Sequence, residues 1–318
     1  MTFQNACKTI INKCMVVKPN EKVLIVYDDK MTDIAKSVYD ESIKVSKNTV
    51  LLKIAEGKTH GSEPTPDVAE TMKQYDVILL ITTKSLSHTK ARKDACDAGA
   101  RLASMPGITK ETIARAIDVD PNEMKKKSIK IGNKLKNAEI VKVTSPSGTD
   151  ITINIKGRYM GESDVGIFDK PGLWGNLPGA EVGLGPLEGT TNGVFVVDLT
   201  FGTGGLVKKP VKVVVKDGYA ISITGGDDAD KLKKMLEVVK DKNAYNIAEL
   251  GIGINHGAKV TGNTLEDEKV YGTAHIALGN NTAYNGIIDV PIHMDGVFSK
   301  PTIEVDGEII MKDGELVI

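Results

Sequence analysis

Hydrophobic and polar positions change rhythm once along this chain, and the change divides it. EKVLIVYDD (residues 21–29) is a short, nearly continuous apolar run, the pattern of a strand buried on both faces. Residues 32–45 then place Ile34, Val38 and Ile43 at helical spacing, with Thr32 positioned as an N-cap. TVLLKIA (49–55) predicts a second strand, and Pro64 and Pro66 break the chain before the helix DVAETMKQY. DVILLITT (76–83) predicts a third strand, followed by a helix near 89–98 and the short strand RLAS (101–104). Strand and helix alternating at this spacing imply βαβ units and a parallel sheet. A capped helix at 109–116 and a lysine-rich helix at 121–136 complete this part.

Beyond it the period shortens. Residues 139–157 alternate on either side of a Ser-Pro-Ser-Gly turn, which predicts a hairpin. Residues 161–205 are dense in glycine, with Pro171, Pro178 and Pro186 between short apolar runs, so loops and short strands are expected there. Strands are predicted at 192–201 and 211–218, one amphipathic helix at 227–239, and mainly strands and loops afterwards. The expected fold is α/β. A parallel-sheet, Rossmann-like α/β domain (1–138) precedes a larger β-rich α+β domain (139–318), which carries the candidate metal-binding residues.

Composition narrows the function classes. A chain of 318 residues with 41% hydrophobic and 26% charged residues is that of a soluble globular protein with a substantial core. A formal net charge of −1 gives no field toward nucleic acid or an anionic membrane. The basic run at 125–136 has Met124, Ile131 and Leu135 spaced as an inner face, so a solvated helix face is expected. Cys7, Cys14 and Cys96 show no CxxC spacing, which suits a reducing compartment and argues against cysteine-ligated zinc. The start is not signal-like and no stretch is long enough to span a bilayer, so a cytoplasmic location is expected.

The chemistry concentrates in residues 248–298, which hold three of the five histidines: His256, His275 and His293. His293 and Asp295 form a His-x-Asp pair in an extended segment, where i and i+2 project to one face. His275 lies in another apolar segment and can come from a neighbouring strand. Two histidines and one carboxylate suffice for a mononuclear site with open positions. Glu249 and Glu181 extend the set to five, enough for a co-catalytic pair of divalent ions. Each of these two glutamates sits in an apolar, glycine-rich context, where burial calls for a metal ion, a basic side chain or backbone donors. Glu266, Asp267 and Glu268 before Lys269 read as a solvated acidic cluster, and His256 as a loop residue outside the ligand set.

A second dense point is TTKSLSHTKAR (82–92), at the carboxyl end of the third predicted strand, where open α/β sheets place ligands. Ser85, Ser87, His88 and Arg92 with helix N-terminal amides can hold an anionic group, or the segment simply caps the next helix. Neither GxGxxG between a strand and a helix, nor GxxxxGK[ST], nor GxSxG is present.

LPGAEVGLGPLEGTTNGVFVVD, AELGIGIN, GTAHIALG and HMDGVF, in this order, resemble the thermophilic metallo-aminopeptidase family. TTKSLSHTKAR and GARLASMPGIT resemble the N-terminal part of its shorter, leucyl-aminopeptidase-like members. The broader superfamily includes the iron-dependent 2,5-dihydroxypyridine dioxygenases. The resemblance implies a homodimeric hydrolase that removes N-terminal residues from small peptides with a metal-bound water. It assigns two ions (zinc, cobalt or manganese) to Glu181, Glu249, His275, His293 and Asp295, with Glu181 and Glu249 dividing the roles of bridge and general base. The alternatives it leaves are a ring-cleaving dioxygenase with one Fe(II) on His275, His293 and Asp295 and Glu181 contacting a small-molecule substrate, or a non-catalytic binding protein. One position departs from the peptidase pattern: the tyrosine expected after the first histidine is Thr282 here, with Tyr284 two residues on, so both join the candidate pocket with Ser85, His88 and Arg92.

Overall fold

The computed structural model describes residues 2–117, 119–159 and 165–318. It forms two compact units: residues 1–121 with 164–179, and residues 122–163 with 180–318.

The first unit is built on a five-stranded, all-parallel sheet in the order Thr49–Lys53, Val23–Tyr27, Val77–Ile81, Arg101–Ser104, Trp174–Asn176. Val23–Tyr27 and Val77–Ile81 are central, and their apolar runs supply both faces. Val23, Ile25, Val77 and Leu79 pack on one side with the helices Phe3–Thr9 and Thr32–Val45. Leu24, Val26, Ile78 and Leu80 pack on the other with Met72, Ala91 and Ala95, from the helices Pro66–Met72 and Lys90–Asp97. Each such buried aliphatic side chain contributes about 1.5–3 kcal/mol.

The single helix predicted at 109–116 is realised as an α-helical segment running into the π-helical turn Ile113–Ile117, and the N-terminal helix Phe3–Thr9 runs likewise into Ile10–Cys14. The division of the chain also differs from one cut near Ala138. Trp174–Asn176 pairs in parallel with Arg101–Ser104 and completes the first sheet. The lysine-rich helix Pro121–Leu135 groups instead, from Asn122 onward, with the second unit. Met124, Ile131 and Leu135 are buried, as their spacing implies.

The second unit contains two antiparallel sheets. The larger has eight strands, in the order Tyr219–Thr224, Val211–Lys216, Asn192–Val197, Asp150–Asn154, Ile140–Thr144, Thr302–Val305, Glu308–Lys312, Glu315–Leu316. The predicted hairpin is its Ile140–Thr144/Asp150–Asn154 pair, and the amphipathic helix Asp227–Val239 forms as expected. The first residues of the glycine-dense segment, 161–164, lie outside the described residues. The smaller sheet has five strands: Thr200–Phe201, His293–Ser299, Thr273–Gly279, Ile247–Gly253, Glu181–Leu184. All five predicted donors are on it. Among the described residues no helix is long and apolar enough to cross a membrane.

Candidate metal centre

Four adjacent strands bring the donors to one face of the smaller sheet. Residues directly opposite in an antiparallel pair share a face, as do alternate residues of one strand. Glu181 stands opposite Gly253, Gly183 opposite Gly251, and Gly251 opposite His275. Glu249 and Asp295 both stand opposite Ala277, and His293 opposite Gly279. All five donors therefore project to one side, separated only by glycine or alanine. The other side carries Val182, Leu184, Leu250, Ile252, Ile276 and Leu278, all buried. The small residues are a packing requirement. A Cβ on Gly251 would lie 2.1 Å from His275 Nε2, and one on Gly183 would lie 2.6 Å from Glu249 Oε1.

Glu249, only 1% exposed, links the two imidazoles: its Oε1 lies 3.4 Å from His275 Nε2 and its Oε2 lies 3.1 Å from His293 Nε2. His275 Nε2 also faces Glu181 Oε2 at 3.5 Å, and His293 Nε2 faces Asp295 Oδ1 at 3.2 Å. His293 Nδ1 is 2.7 Å from the Asn280 carbonyl oxygen, which only accepts, so Nδ1 carries a proton and Nε2 holds the lone pair of the neutral ring. A lone pair aimed at two carboxylates is repulsive unless a proton or a metal ion lies between them.

The protonation equilibria of the ion-free cluster follow from this conflict. Burial alone would depress His275, but its hydrogen bond to Glu249 and the charges of Glu249, Glu181 and Asp295 raise it to about 9. His293 is likewise raised well above its ordinary value, against burial, by Asp295 and Glu249. Burial opposes ionisation of Glu249 and Asp295, yet the neighbouring imidazoles hold both below the usual carboxylate range.

The donor set fits a divalent metal ion. Single donor atoms of Glu181, Glu249 and His275, of Glu249, His293 and Asp295, and of Glu268, His275 and Asp295 lie within 4.8 Å of one another in each group. Donors about 2.1 Å from a common ion are separated from each other by roughly 3.0–3.4 Å, close to the spacings above. Glu181 Oε2 and Asp295 Oδ1 are buried, face the cluster and have no hydrogen-bond partner in acceptable geometry.

Two members of the cluster escaped the sequence reading. Glu266, Asp267, Glu268 and Lys269 are buried rather than solvated. Glu266 accepts the Lys259 amide at 2.9 Å, and Asp267 accepts the amides of Thr261 and Gly262 at 2.7 and 2.8 Å, so these two tie down the loop before them. Lys269, 0% exposed, places its ammonium 2.6 Å from Glu181 Oε1 and 2.6 Å from Glu268 Oε1. Burial first, and then Asp295 and Glu181, push the Glu268 carboxyl up to about 8 although Lys269 pulls it down. The basic partner that a buried Glu181 requires is thus present alongside the metal donors.

Of the remaining candidates, Tyr284 stacks on His293 with ring centroids 6.0 Å apart, and its phenol is raised well above its ordinary value by burial and the nearby carboxylates. Thr282 is exposed, with its hydroxyl on Asn280 Oδ1 at 2.8 Å. His256 stacks on Tyr271 at 3.9 Å. In the first unit, Ser85 Oγ donates to Ser87 Oγ, which lies 2.8 Å from Ser104 Oγ and 3.0 Å from Asn176 Oδ1. The Arg92 guanidinium covers the Trp174 ring at 3.7 Å, His88 meets that ring edge-on, and Thr89 caps the following helix. Ser87 thus ties the loop after Val77–Ile81 to the last residues of Arg101–Ser104 and Trp174–Asn176.

Three comparisons bear on the chain as a whole. The 2,5-dihydroxypyridine 5,6-dioxygenase (NicX) family profile matches residues 3–318. A 2,5-dihydroxypyridine 5,6-dioxygenase of Pseudomonas putida KT2440 is 24% identical over 257 residues, covering 75% of this chain and 71% of the relative. The solved structure of 2,5-dihydroxypyridine dioxygenase from the same organism superposes with a TM-score of 0.84 at 17% identity, over 99% of this chain and 96% of that one. AmpT from Thermus thermophilus superposes with a TM-score of 0.68 at 14% identity over 99% of each chain, a likeness of fold. The aminopeptidase expectation, and with it the hydrolase and protease chemistry, is therefore corrected. It rested on a set of five donors, and such donors do not by themselves choose a reaction. Matched along nearly its whole length, the chain belongs to the 2,5-dihydroxypyridine 5,6-dioxygenase family.

Proposed function

We propose that this protein is a metal-dependent dioxygenase that opens a dihydroxylated pyridine ring, with one Fe(II) held by His275, His293 and Asp295. The family match across residues 3–318 carries the reading. The donor chemistry supports it, since two histidines and one carboxylate are the set used for non-haem Fe(II) in oxygenases. When bound, the iron supplies the redox chemistry that lets dioxygen react with an electron-rich aromatic ring.

The chain's own residues prepare that reaction. Glu249 faces both imidazoles and orients them, and the Asn280 carbonyl fixes the His293 tautomer so that Nε2 points inward. Oxidation of a dihydroxylated ring requires loss of a hydroxyl proton. Glu181 Oε2, buried, without a hydrogen-bond partner and on the donor face, is the acceptor we assign to that hydroxyl. Tyr284, whose raised phenol stays protonated at neutral pH, is a donor beside His293 for the opposite polarity on the substrate.

The test is anaerobic purification and reconstitution with Fe(II), elemental analysis, and oxygen-electrode measurement on adding 2,5-dihydroxypyridine. One iron per chain is expected, with one dioxygen consumed per ring lost from the ultraviolet spectrum. Iron-loaded protein that leaves both oxygen and the aromatic absorbance unchanged, across a panel of dihydroxylated pyridines, refutes the assignment.

A further inference from the structure

Lys269 is a fully buried cation inside a cluster of metal donors. We propose that it takes the place of a second metal ion, so that the centre holds one ion and Glu181 is kept out of the ligand set for substrate. The inference rests on the single-ion reading above and supplies its structural cause.

The five donors taken alone suit two ions as well as one. Glu181, Glu249 and His275 form one group and Glu249, His293 and Asp295 another, with Glu249 shared between them. Lys269 changes this balance at one end. Its ammonium lies 2.6 Å from both Glu181 Oε1 and Glu268 Oε1. Glu181 belongs to one group through His275, and Glu268 to another through the same histidine. The ammonium thus already holds one carboxylate from each of the two groups that include His275.

Charge leads to the same answer. Glu181, Glu249, Glu268 and Asp295 bring four carboxylates to the cluster, against one ammonium. One divalent ion leaves a single negative charge in excess with Glu268 ionised and none with it protonated, whereas two ions make the buried cluster positive in either case. A second ion would also stand close to an ammonium in a site of low dielectric, where like charges repel strongly. A lysine is a compact point charge with three donors, so it can bridge two carboxylates as an ion does while offering no open position for oxygen or water. With Oε1 held by Lys269, Glu181 turns Oε2 toward the donor face with no hydrogen-bond partner.

Lys269 therefore acts as a positioning residue, and ion stoichiometry tests it. Wild-type protein, Lys269→Met, Lys269→Arg and the double variant Lys269→Met/Glu268→Gln are titrated anaerobically with Fe(II), and separately with redox-silent Zn(II). Native mass spectrometry and elemental analysis count ions, and circular dichroism checks folding. The double variant removes the buried pair as neutral shapes, so it keeps the test alive if Lys269→Met does not fold. Wild type and Lys269→Arg are expected to hold one ion. The Met variants are expected to take a second, with affinity for it at least about 100-fold tighter than in wild type. A wild-type chain that takes two ions, or folded Met variants that stay at one, overturns the proposal. Failure of the dioxygenase reading looks different: one ion per chain and the expected second ion in the variants, but no oxygen consumed.

Discussion

Replacing Gly251 by alanine tests the centre without touching a donor. Gly251 lies opposite His275 on one neighbouring strand and opposite Gly183 on the other, so its backbone is held in the sheet on both sides. The new Cβ would stand 2.1 Å from His275 Cε1 and Nε2 and 2.8 Å from Nδ1. Carbon contacts settle at about 3.5–4.0 Å, so the imidazole must retreat by roughly 1.5 Å. Metal bonds tolerate only about ±0.2 Å, and a displacement of about 1 Å in a reacting geometry costs on the order of 100-fold. Fe(II) affinity and kcat/KM should each fall at least about 100-fold. The overpacking itself should cost about 1–3 kcal/mol of stability in the ion-free protein. Affinity is read by anaerobic competition with a chelator, stability by chemical denaturation and folding by circular dichroism. Gly57→Ala is the control, because a Cβ there meets nothing nearer than 3.5 Å. A folded Gly251→Ala protein with wild-type iron affinity would show that His275 does not bind from the position described, and the reasoning fails.

Three further outcomes follow from particular contacts. Because His275 in the ion-free protein is raised to about 9, it holds a proton that an incoming ion must displace. Ion affinity should rise with pH through neutrality to at least about 9, since the raised His293 must lose a proton as well, and the His275 share of ion-free stability should decline over the range from about 6.5 to 9; calorimetry in buffers of different ionisation enthalpy reads the released protons, and a flat affinity profile contradicts the geometry. In the first unit, Arg101 is buried and pairs with both oxygens of Glu21, at 2.8 and 2.6 Å, while its Nε donates to the Met15 carbonyl at 2.8 Å. Arg101→Met should cost about 3–5 kcal/mol in denaturant unfolding, with part regained by adding Glu21→Gln, and a loss under about 1 kcal/mol would count against it. Glu188 accepts Asn281 Nδ2 at 2.8 Å and the Ile287 amide at 3.0 Å and pairs with Arg158, contacts that hold its carboxyl below the usual range despite burial. That stability is present above the unfolded value of about 4.3 and lost as pH falls through the depressed folded value. Glu188→Ala should remove about 1–3 kcal/mol and speed hydrogen exchange at Ile287, in the loop that carries Tyr284; unchanged exchange there would refute the anchoring.

The elements that local pattern could reveal were legible in the sequence. Continuous apolar runs became the central parallel strands, and the alternation at 139–157 became a hairpin. The His-x-Asp pair, His275, Glu249 and Glu181 do share one face of one sheet. What failed depended on distant pairing. Trp174–Asn176 is too short to signal its place in a sheet whose other strands lie before residue 105, and only its hydrogen bonds to Arg101–Ser104 give it one. The π-helical turns at Ile10–Cys14 and Ile113–Ile117 keep helical spacing in sequence and shift only the hydrogen-bond register.

The stretch from Glu266 to Lys269 shows why the reaction was harder to read than the fold. Four consecutive charged residues have the local signature of a solvated turn, and three of them buried as acids would ordinarily be too costly. The cost is met by partners remote in sequence or hidden in the backbone: Glu181 for Lys269, and the amides of Lys259, Thr261 and Gly262 for Glu266 and Asp267. No composition or periodicity argument reports such pairings. Yet this buried ammonium is what separates two readings of the same five donors. Without Lys269, Glu181 is a free carboxylate next to His275, and a two-ion hydrolytic centre is a reasonable inference. With Lys269 on Glu181 Oε1, one carboxylate oxygen is already taken by a cation, and the cluster's remaining charge suits a single divalent ion. The distinction between hydrolysis and oxygen chemistry thus falls on a residue that is neither a donor nor recognisable as part of the site until the sheet is assembled.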